Sequence, residues 1–361
     1  MTTPAPARER EPFWDNAKGV LVTFVVLGHA IQPSAAGGVV LADVLYRVVY
    51  LFHMPAFVFV TGVLTAELTA RRAGRLLTTV LVPYVIFQVL QTVEVSLLRG
   101  RWAGVHLLDP RWTLWFLLAL VAWRLSTPLW LALRPAVAIA ASVGVAILSG
   151  LEPGVTSTLG LDATLGFLPF FVLGLVLRRQ AGILLLPRRP WVVAVAGAVV
   201  VAAVLLTLVT RHEISRRVLQ LGFRPQVMDA GLAVEVGVRL ALLAGATALT
   251  AAVLVLVPRR RTVFASVGLA SMTVYLLHPL VLTPLRDGRL VGGTVVAVVT
   301  MAAAVGLALL LSSRPVVAAA RPLVEPSWTG RLLLRNPVAR PRDRVRGAAT
   351  PTDGEAQRSV P

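Results

Sequence analysis

Ten apolar segments follow one another along this chain, near 17–36, 44–66, 76–98, 112–133, 136–151, 164–177, 191–210, 231–257, 263–284 and 290–313. A hydrocarbon layer about 30 Å thick takes roughly 20 helical residues at 1.5 Å each, and only helices or closed barrels satisfy their own backbone polar groups inside it. The expected fold class is therefore all-α: a polytopic integral membrane bundle of about ten transmembrane helices. The fifth and sixth segments are short and contain Gly144, Gly150, Gly166 and Pro169, so a tilted or broken crossing is expected there. With 57% hydrophobic against 14% charged residues and a mean hydropathy of +0.78, a soluble domain with a polar shell is excluded.

Three regions follow from the composition. Residues 1–12 form a Pro/Arg/Glu-rich N-terminal tail without the pattern of a cleavable signal, residues 13–313 hold the membrane domain, and 314–361 read as an Arg/Pro-rich disordered tail. The longest gap between spans, 211–230, is expected to be a loop or a short surface helix. The net charge of +18 would suit nucleic acid in a soluble protein, yet no basic face interleaved with aromatics is present, so no nucleic-acid partner is expected. The charge is instead distributed by side. With alternating spans, 24 of the 35 basic residues fall on the side of the termini, which places both termini in the cytoplasm. Cysteine is absent, which removes disulfides and thiolate chemistry.

Ionisable groups within spans are costly and mark functional positions. His29, His53 and His278 lie inside apolar segments, and counting helix rise from the span ends puts all three near one level of the bilayer. Each has an ordinary structural use as a hydrogen-bonding link to a neighbouring helix. Three at one depth favour chemistry, because a neutral imidazole is the commonest general base. No HxH or HxxxH spacing accompanies them, so no metal is expected. Pro55 and Pro279 follow His53 and His278 and are read first as kinks.

Lys18 precedes His29 by eleven residues, about three turns, so both project from one helix face about 16 Å apart. That pair suits a long anionic ligand entering from the cytoplasm, and equally a lysine that merely anchors the helix end. Arg72 and Arg75 share a helix face in an RxxR arrangement able to grip phosphate, although arginines beside a span also act as topology signals. Trp115 with Phe116 is a candidate pocket wall. P-loop, GxGxxG, GxSxG and HExxH patterns are absent from the sequence.

The stretch Trp14-Asp15-Asn16-Ala17-Lys18-Gly19-Val20 through Gly28-His29-Ala30 resembles the first helix of membrane acyltransferase family 3, in the branch that includes fucose 4-O-acetylase-like proteins. In family order come Phe52-His53-Met54-Pro55-Ala56-Phe57 with Thr61-Gly62, the Arg72/Arg75 pair, Val82-Pro83-Tyr84 and Leu114-Trp115-Phe116-Leu117. Phe167-Leu168-Pro169-Phe170-Phe171 and Ser271-Met272-Thr273-Val274-Tyr275-Leu276-Leu277-His278-Pro279 complete the series over about residues 13–313. Arginine is commonest in the family at the position of Lys18, a departure this branch shares.

The resemblance implies a multi-pass O-acyltransferase of the plasma membrane. It would transfer an acyl group other than aminoacyl from acyl-CoA, usually acetyl-CoA, to a hydroxyl of a cell-surface carbohydrate or related acceptor. His29 then matches the catalytic histidine as general base or acyl relay and Lys18 its basic partner. Lys18, Arg72 and Arg75 would contact the CoA donor, while His53, His278 and Trp115 would meet substrate. No permanently bound cofactor is implied; membrane lipids are the remaining partners. The competing class is a multi-pass transporter or flippase for a polar or lipid-linked substrate, which ten spans around a central polar site would also serve.

Overall fold

The computed structural model describes residues 11–333 apart from 152–154, 156, 186–187, 220–230, 288–291 and 327. Among the described residues every regular element is helical. Helix α1 spans Pro12–Ala36 and α2 Val40–Leu64, joined by a tight reversal in which Gly38 adopts φ +85°. The next span starts as α3, Ala70–Leu76, capped by the Thr69 hydroxyl, and passes through a π-helical turn, Leu77–Leu81, into α4, Val82–Arg99. Pro83 lacks an N–H and crowds the carbonyl four residues back, which accounts for the widened turn before it.

Then come α5, Trp115–Ala132; α6, Pro135–Leu151; α7, Leu161–Gly166, and α8, Leu168–Leu177; α9, Pro190–Thr210; and α10, Leu232–Leu256. The chain continues with α11, Val263–Leu269; α12, Ser271–Asp287; α13, Thr294–Leu311; α14, Arg314–Val324; and α15, Thr329–Leu333. The protein is thus an all-helical membrane protein, and each of the ten apolar segments read from the sequence corresponds to helix. Among the described residues seven helical stretches are long and apolar enough to cross a bilayer, α6 is shorter, and two segments are broken. The break within 158–177 bends the chain by 55° at Phe167, and that between α11 and α12 bends it by 83°. The second bend falls at Ala270, well before Pro279, so the proline after His278 does not make it.

The segment expected to be a disordered tail from residue 314 onward instead begins with two helices, because α14 is amphipathic and its Ala320 and Val324 are buried against the bundle. Residues 334–361 lie outside the described residues, as does 220–230 of the expected loop; its described part ends in a short 3₁₀ turn, Arg216–Leu219.

The interior is built around α1 and α2. In each, 61% of the most apolar window is buried, against 6% in α9, whose valines and leucines face outward as a lipid-facing helix requires. Glycines set the closest crossings. A Cβ at Gly19 would stand 1.9 Å from the Phe264 carbonyl oxygen and one at Gly268 1.8 Å from that of Asp15, so α1 and α11 touch backbone to backbone. Gly62 and Gly174 do the same for α2 and α8, with 2.2 Å to the Phe171 and Phe59 oxygens. Asn16 locks the first crossing: its amide donates to the carbonyls of Pro258 and Arg260 at 2.9 and 2.7 Å, and the Thr262 hydroxyl donates to its Oδ1 at 2.6 Å.

Candidate active site

The geometry of α1 and α2 brings His29 beside Tyr50, and α12 brings His278 over it. The His29 and His278 rings stack with centroids 5.5 Å apart, and the Tyr50 ring lies 4.8 Å from that of His53. The three histidines singled out from the sequence therefore form one cluster. His53 and His278 are almost fully buried, whereas His29 is partly open to a cavity of about 390 Å³. The cavity is also lined by Gln32, Tyr50, His53, Trp112, Trp115, Asp162 and Arg286. His29 is seven residues from the C-terminus of α1, about 10 Å by helix rise, so the site lies toward that end rather than at mid-helix.

Hydrogen bonds orient each ring. His53 Nδ1 lies 2.7 Å from the Val49 carbonyl and His278 Nδ1 3.1 Å from that of Val274; a carbonyl only accepts, so both rings carry their proton on Nδ1. Nδ1 of His29 lies 3.1 Å from the Tyr50 hydroxyl. Gln32 and Thr113 line the cavity, and Gln32 Oε1 and Thr113 Oγ1 are buried without a hydrogen-bond partner among the described residues, as is Nε2 of His278, which does not line it. Unmet polar atoms in a cavity are the groups a ligand can satisfy.

A polar stripe on α4 holds the outer wall. Tyr84 donates to the Leu107 carbonyl, Gln88 to those of His106 and Asp109, and Thr92 accepts from the Arg111 guanidinium, positions four apart on one helix face. The Tyr275 hydroxyl donates to the Thr113 carbonyl. Burial first, and then Arg99, lowers the pKa of Arg111 from its ordinary value, but a guanidinium stays charged throughout. This loop delivers Trp112, held at φ +40°, a conformation that side chains other than glycine rarely adopt. The Trp112 ring meets His29 edge-on at 4.8 Å, with the Arg286 guanidinium 4.4 Å over its face. Trp115 stacks on Phe167 at 5.6 Å.

Arg72 and Arg75 are elsewhere. They line a separate cavity of about 240 Å³ between the C-terminal end of α2 and the middle of α5, together with Thr65, Leu68 and Arg124. Arg72 donates to the Glu67 carbonyl at 2.6 Å, while the Glu67 carboxylate pairs with Arg178 at 3.2 Å. Arg124 has no hydrogen-bond or ion-pair partner among the described residues. Both cavities take residues from α2 and α5: from His53 to Thr65 is about 18 Å along α2, and from Phe116 to Arg124 about 12 Å along α5. The Phe57 and Phe116 rings meet at 5.6 Å between them. Lys18 lines neither cavity and is paired with Asp15 at 2.8 Å.

The sequence reading did not single out Tyr50, Gln32, Trp112, Arg286 or Arg124. Some signal was there: Gln32 is three residues from His29 and Tyr50 three from His53, hence on the same helix faces, and Arg124 interrupts an otherwise apolar span. Among the described residues no group of three or more His, Asp or Glu side chains is arranged to hold a metal ion.

A family model described as an acyltransferase domain matches residues 11–313. Nodulation protein NolL of Mesorhizobium japonicum (strain LMG 29417 / CECT 9101 / MAFF 303099) is 32% identical over 72 residues, 19% of this chain and 19% of that protein. This chain thus aligns with about a fifth of the curated relative's length. No solved structure matches.

Proposed function

Because the chain belongs to the acyltransferase-domain family, we propose that it moves an acyl group, in the first place acetyl, from cytoplasmic acyl-CoA to a hydroxyl of a cell-surface carbohydrate or related acceptor. The protein crosses the membrane several times. In the proposed orientation, with the N-terminus inside a plasma membrane, the arginine cavity faces the cytoplasm and the mouth of the His29 cavity faces out.

The donor phosphates rest against Arg72, Arg75 and Arg124, since guanidinium groups form charge-assisted bonds with phosphate oxygens. The extended pantetheine arm then follows the 12–18 Å shared by α2 and α5, past Phe57 and Phe116, and presents its thioester at His29. Lys18 contributes positive charge near the inner end of α1. The acceptor lies in the outer cavity, its apolar ring faces on Trp112 or Trp115 and its hydroxyls toward Gln32, Thr113 and Asp162.

His29 takes the proton of the acceptor hydroxyl on Nε2 as the oxygen attacks the thioester carbonyl. The C–O bond forms, the C–S bond breaks, and the proton passes from Nε2 to the departing thiolate. The alternative order is attack by His29 itself, giving an acyl-imidazole that the hydroxyl then cleaves.

The observation that carries this reading is the placement of His29 in an aromatic-walled cavity, separated by about one pantetheine length from a cavity lined by three arginines. The test is CoA release from acetyl-CoA by purified protein in lipid nanodiscs, compared with His29→Gln protein that inserts normally. Trapping with donor alone separates the two orders, since only relay leaves acetyl on His29. Undiminished acyl transfer by the variant would refute this role for His29.

A further inference from the structure

The structure offers an explanation of how His29 acquires a free base nitrogen. A neutral imidazole has one N–H and one lone pair, so the partner of one nitrogen decides what the other can do. In His53 and His278 a backbone carbonyl settles the matter. His29 faces instead the Tyr50 hydroxyl, which can either donate or accept.

We infer that Tyr50 is a positioning residue that accepts a hydrogen bond from His29 Nδ1–H and so leaves Nε2 as the base nitrogen of the cavity. Two observations give the bond this direction. First, among the described residues Nδ1 is the only nitrogen of His29 with a hydrogen-bonding partner, at 3.1 Å. His29 lines the cavity in which the substrate hydroxyl would meet it, so a base acting there keeps its lone pair on the unpartnered Nε2 and its proton on Nδ1. Second, Tyr46 lies one turn away on α2 with its ring stacked on that of Tyr50 at 4.0 Å, which gives the Tyr50 O–H a second neighbour. The single Tyr50 proton serves one neighbour; given to Tyr46, it leaves the oxygen lone pairs for His29.

Gly28 makes the contact sterically feasible. A Cβ at position 28 would lie 3.2 Å from Cε2 of Tyr50, tighter than ordinary van der Waals contact, so glycine next to His29 lets the phenol approach α1. In the reaction, the proton gained at Nε2 makes an imidazolium whose Nδ1–H already points at an oxygen acceptor. No reorganisation is then needed at the moment of transfer.

The base role, and with it the direction of this bond, rests on the proposed acyl transfer. Nitrogen-15 spectra of the full chain in nanodiscs, with labelled histidine and His29→Gln protein to assign the signal, distinguish protonated from unprotonated ring nitrogens. The expected wild-type state is Nδ1 protonated and Nε2 unprotonated. Tyr50→Phe keeps the ring and removes the hydroxyl. It should shift the His29 tautomer population and lower kcat about 10–100-fold, with the donor KM changed less than about twofold. A wild-type His29 protonated on Nε2 overturns the inference, while CoA release from acetyl-CoA by the same protein tests the acyl-transfer reading separately. The positioning role of Tyr50 is equally overturned if Tyr50→Phe changes neither the spectrum nor kcat. Should that variant fail to insert, the wild-type spectrum decides alone.

Discussion

His278 lies face to face with His29, the ring planes 21° apart and the centroids 5.5 Å apart, although one belongs to the first helix and the other to the twelfth. The stacking geometry excludes a hydrogen bond between the two rings, so they are not a proton-relay pair. Each has its own partner on Nδ1; His29 lines the cavity, whereas Nε2 of His278 is buried without a partner among the described residues. His29→Gln should therefore lower kcat about 10²–10⁴-fold, since the amide neither takes a proton at neutral pH nor carries an acyl group. His278→Gln keeps a hydrogen-bonding end and should act more mildly, mainly through the acceptor KM. Steady-state kinetics on matched amounts of inserted protein separate the two, and equal losses of kcat would remove the distinction.

Donor recognition is predicted to reside in the arginine cavity. Replacing Arg72 and Arg75 together by Gln should raise the KM for acetyl-CoA while leaving insertion intact, each lost charge-assisted bond costing about 1.5–3 kcal/mol. Arg124→Gln should act in the same direction, because that guanidinium lines the same cavity. The specific readout is discrimination between acetyl-CoA and acetyl-pantetheine, which lacks the nucleotide phosphates. Variants that keep full discrimination would reduce these arginines to topology signals.

Packing makes a prediction independent of catalysis. Gly62→Ala and Gly174→Ala place a Cβ 2.2 Å from a backbone oxygen that cannot swing away, so each should lower stability by about 1–3 kcal/mol. Gly144 has no heavy atom within 4 Å of its virtual Cβ, and Gly144→Ala should be neutral or slightly stabilising. Thermal unfolding in detergent checks all three. Equal midpoints across the series would mean that α2 and α8 do not cross as closely as described.

The proposed orientation is checked with a reporter active only outside the cytoplasm. It should be silent when fused after Pro361 and active when inserted between Arg211 and Ala230. The reverse pattern would turn the protein over and move donor entry to the other cavity.

Much of the architecture was legible locally. A run of about 20 apolar residues must satisfy its own backbone in hydrocarbon, so helix and membrane follow from composition over a short window. The same logic singled out His29, His53 and His278, since an imidazole inside such a run has no solvent to meet it. Amphipathic α14 was missed because Arg and Pro in its sequence read as a tail, and its apolar face acquires meaning only against the bundle it covers.

By itself, then, the sequence determined the class of protein, the ten helical segments and the three histidines that the fold brings together. Tertiary structure decided what those histidines face. It set Tyr50 on the Nδ1 of His29, brought Trp112 and Arg286 to the cavity rim, gathered Arg124 with Arg72 and Arg75, and left Lys18 paired with Asp15. The physical reason is range. Backbone satisfaction in lipid is met within one helix and is written in neighbouring residues, whereas a ring nitrogen's partner comes from another helix and depends on glycine crossings that no local pattern encodes.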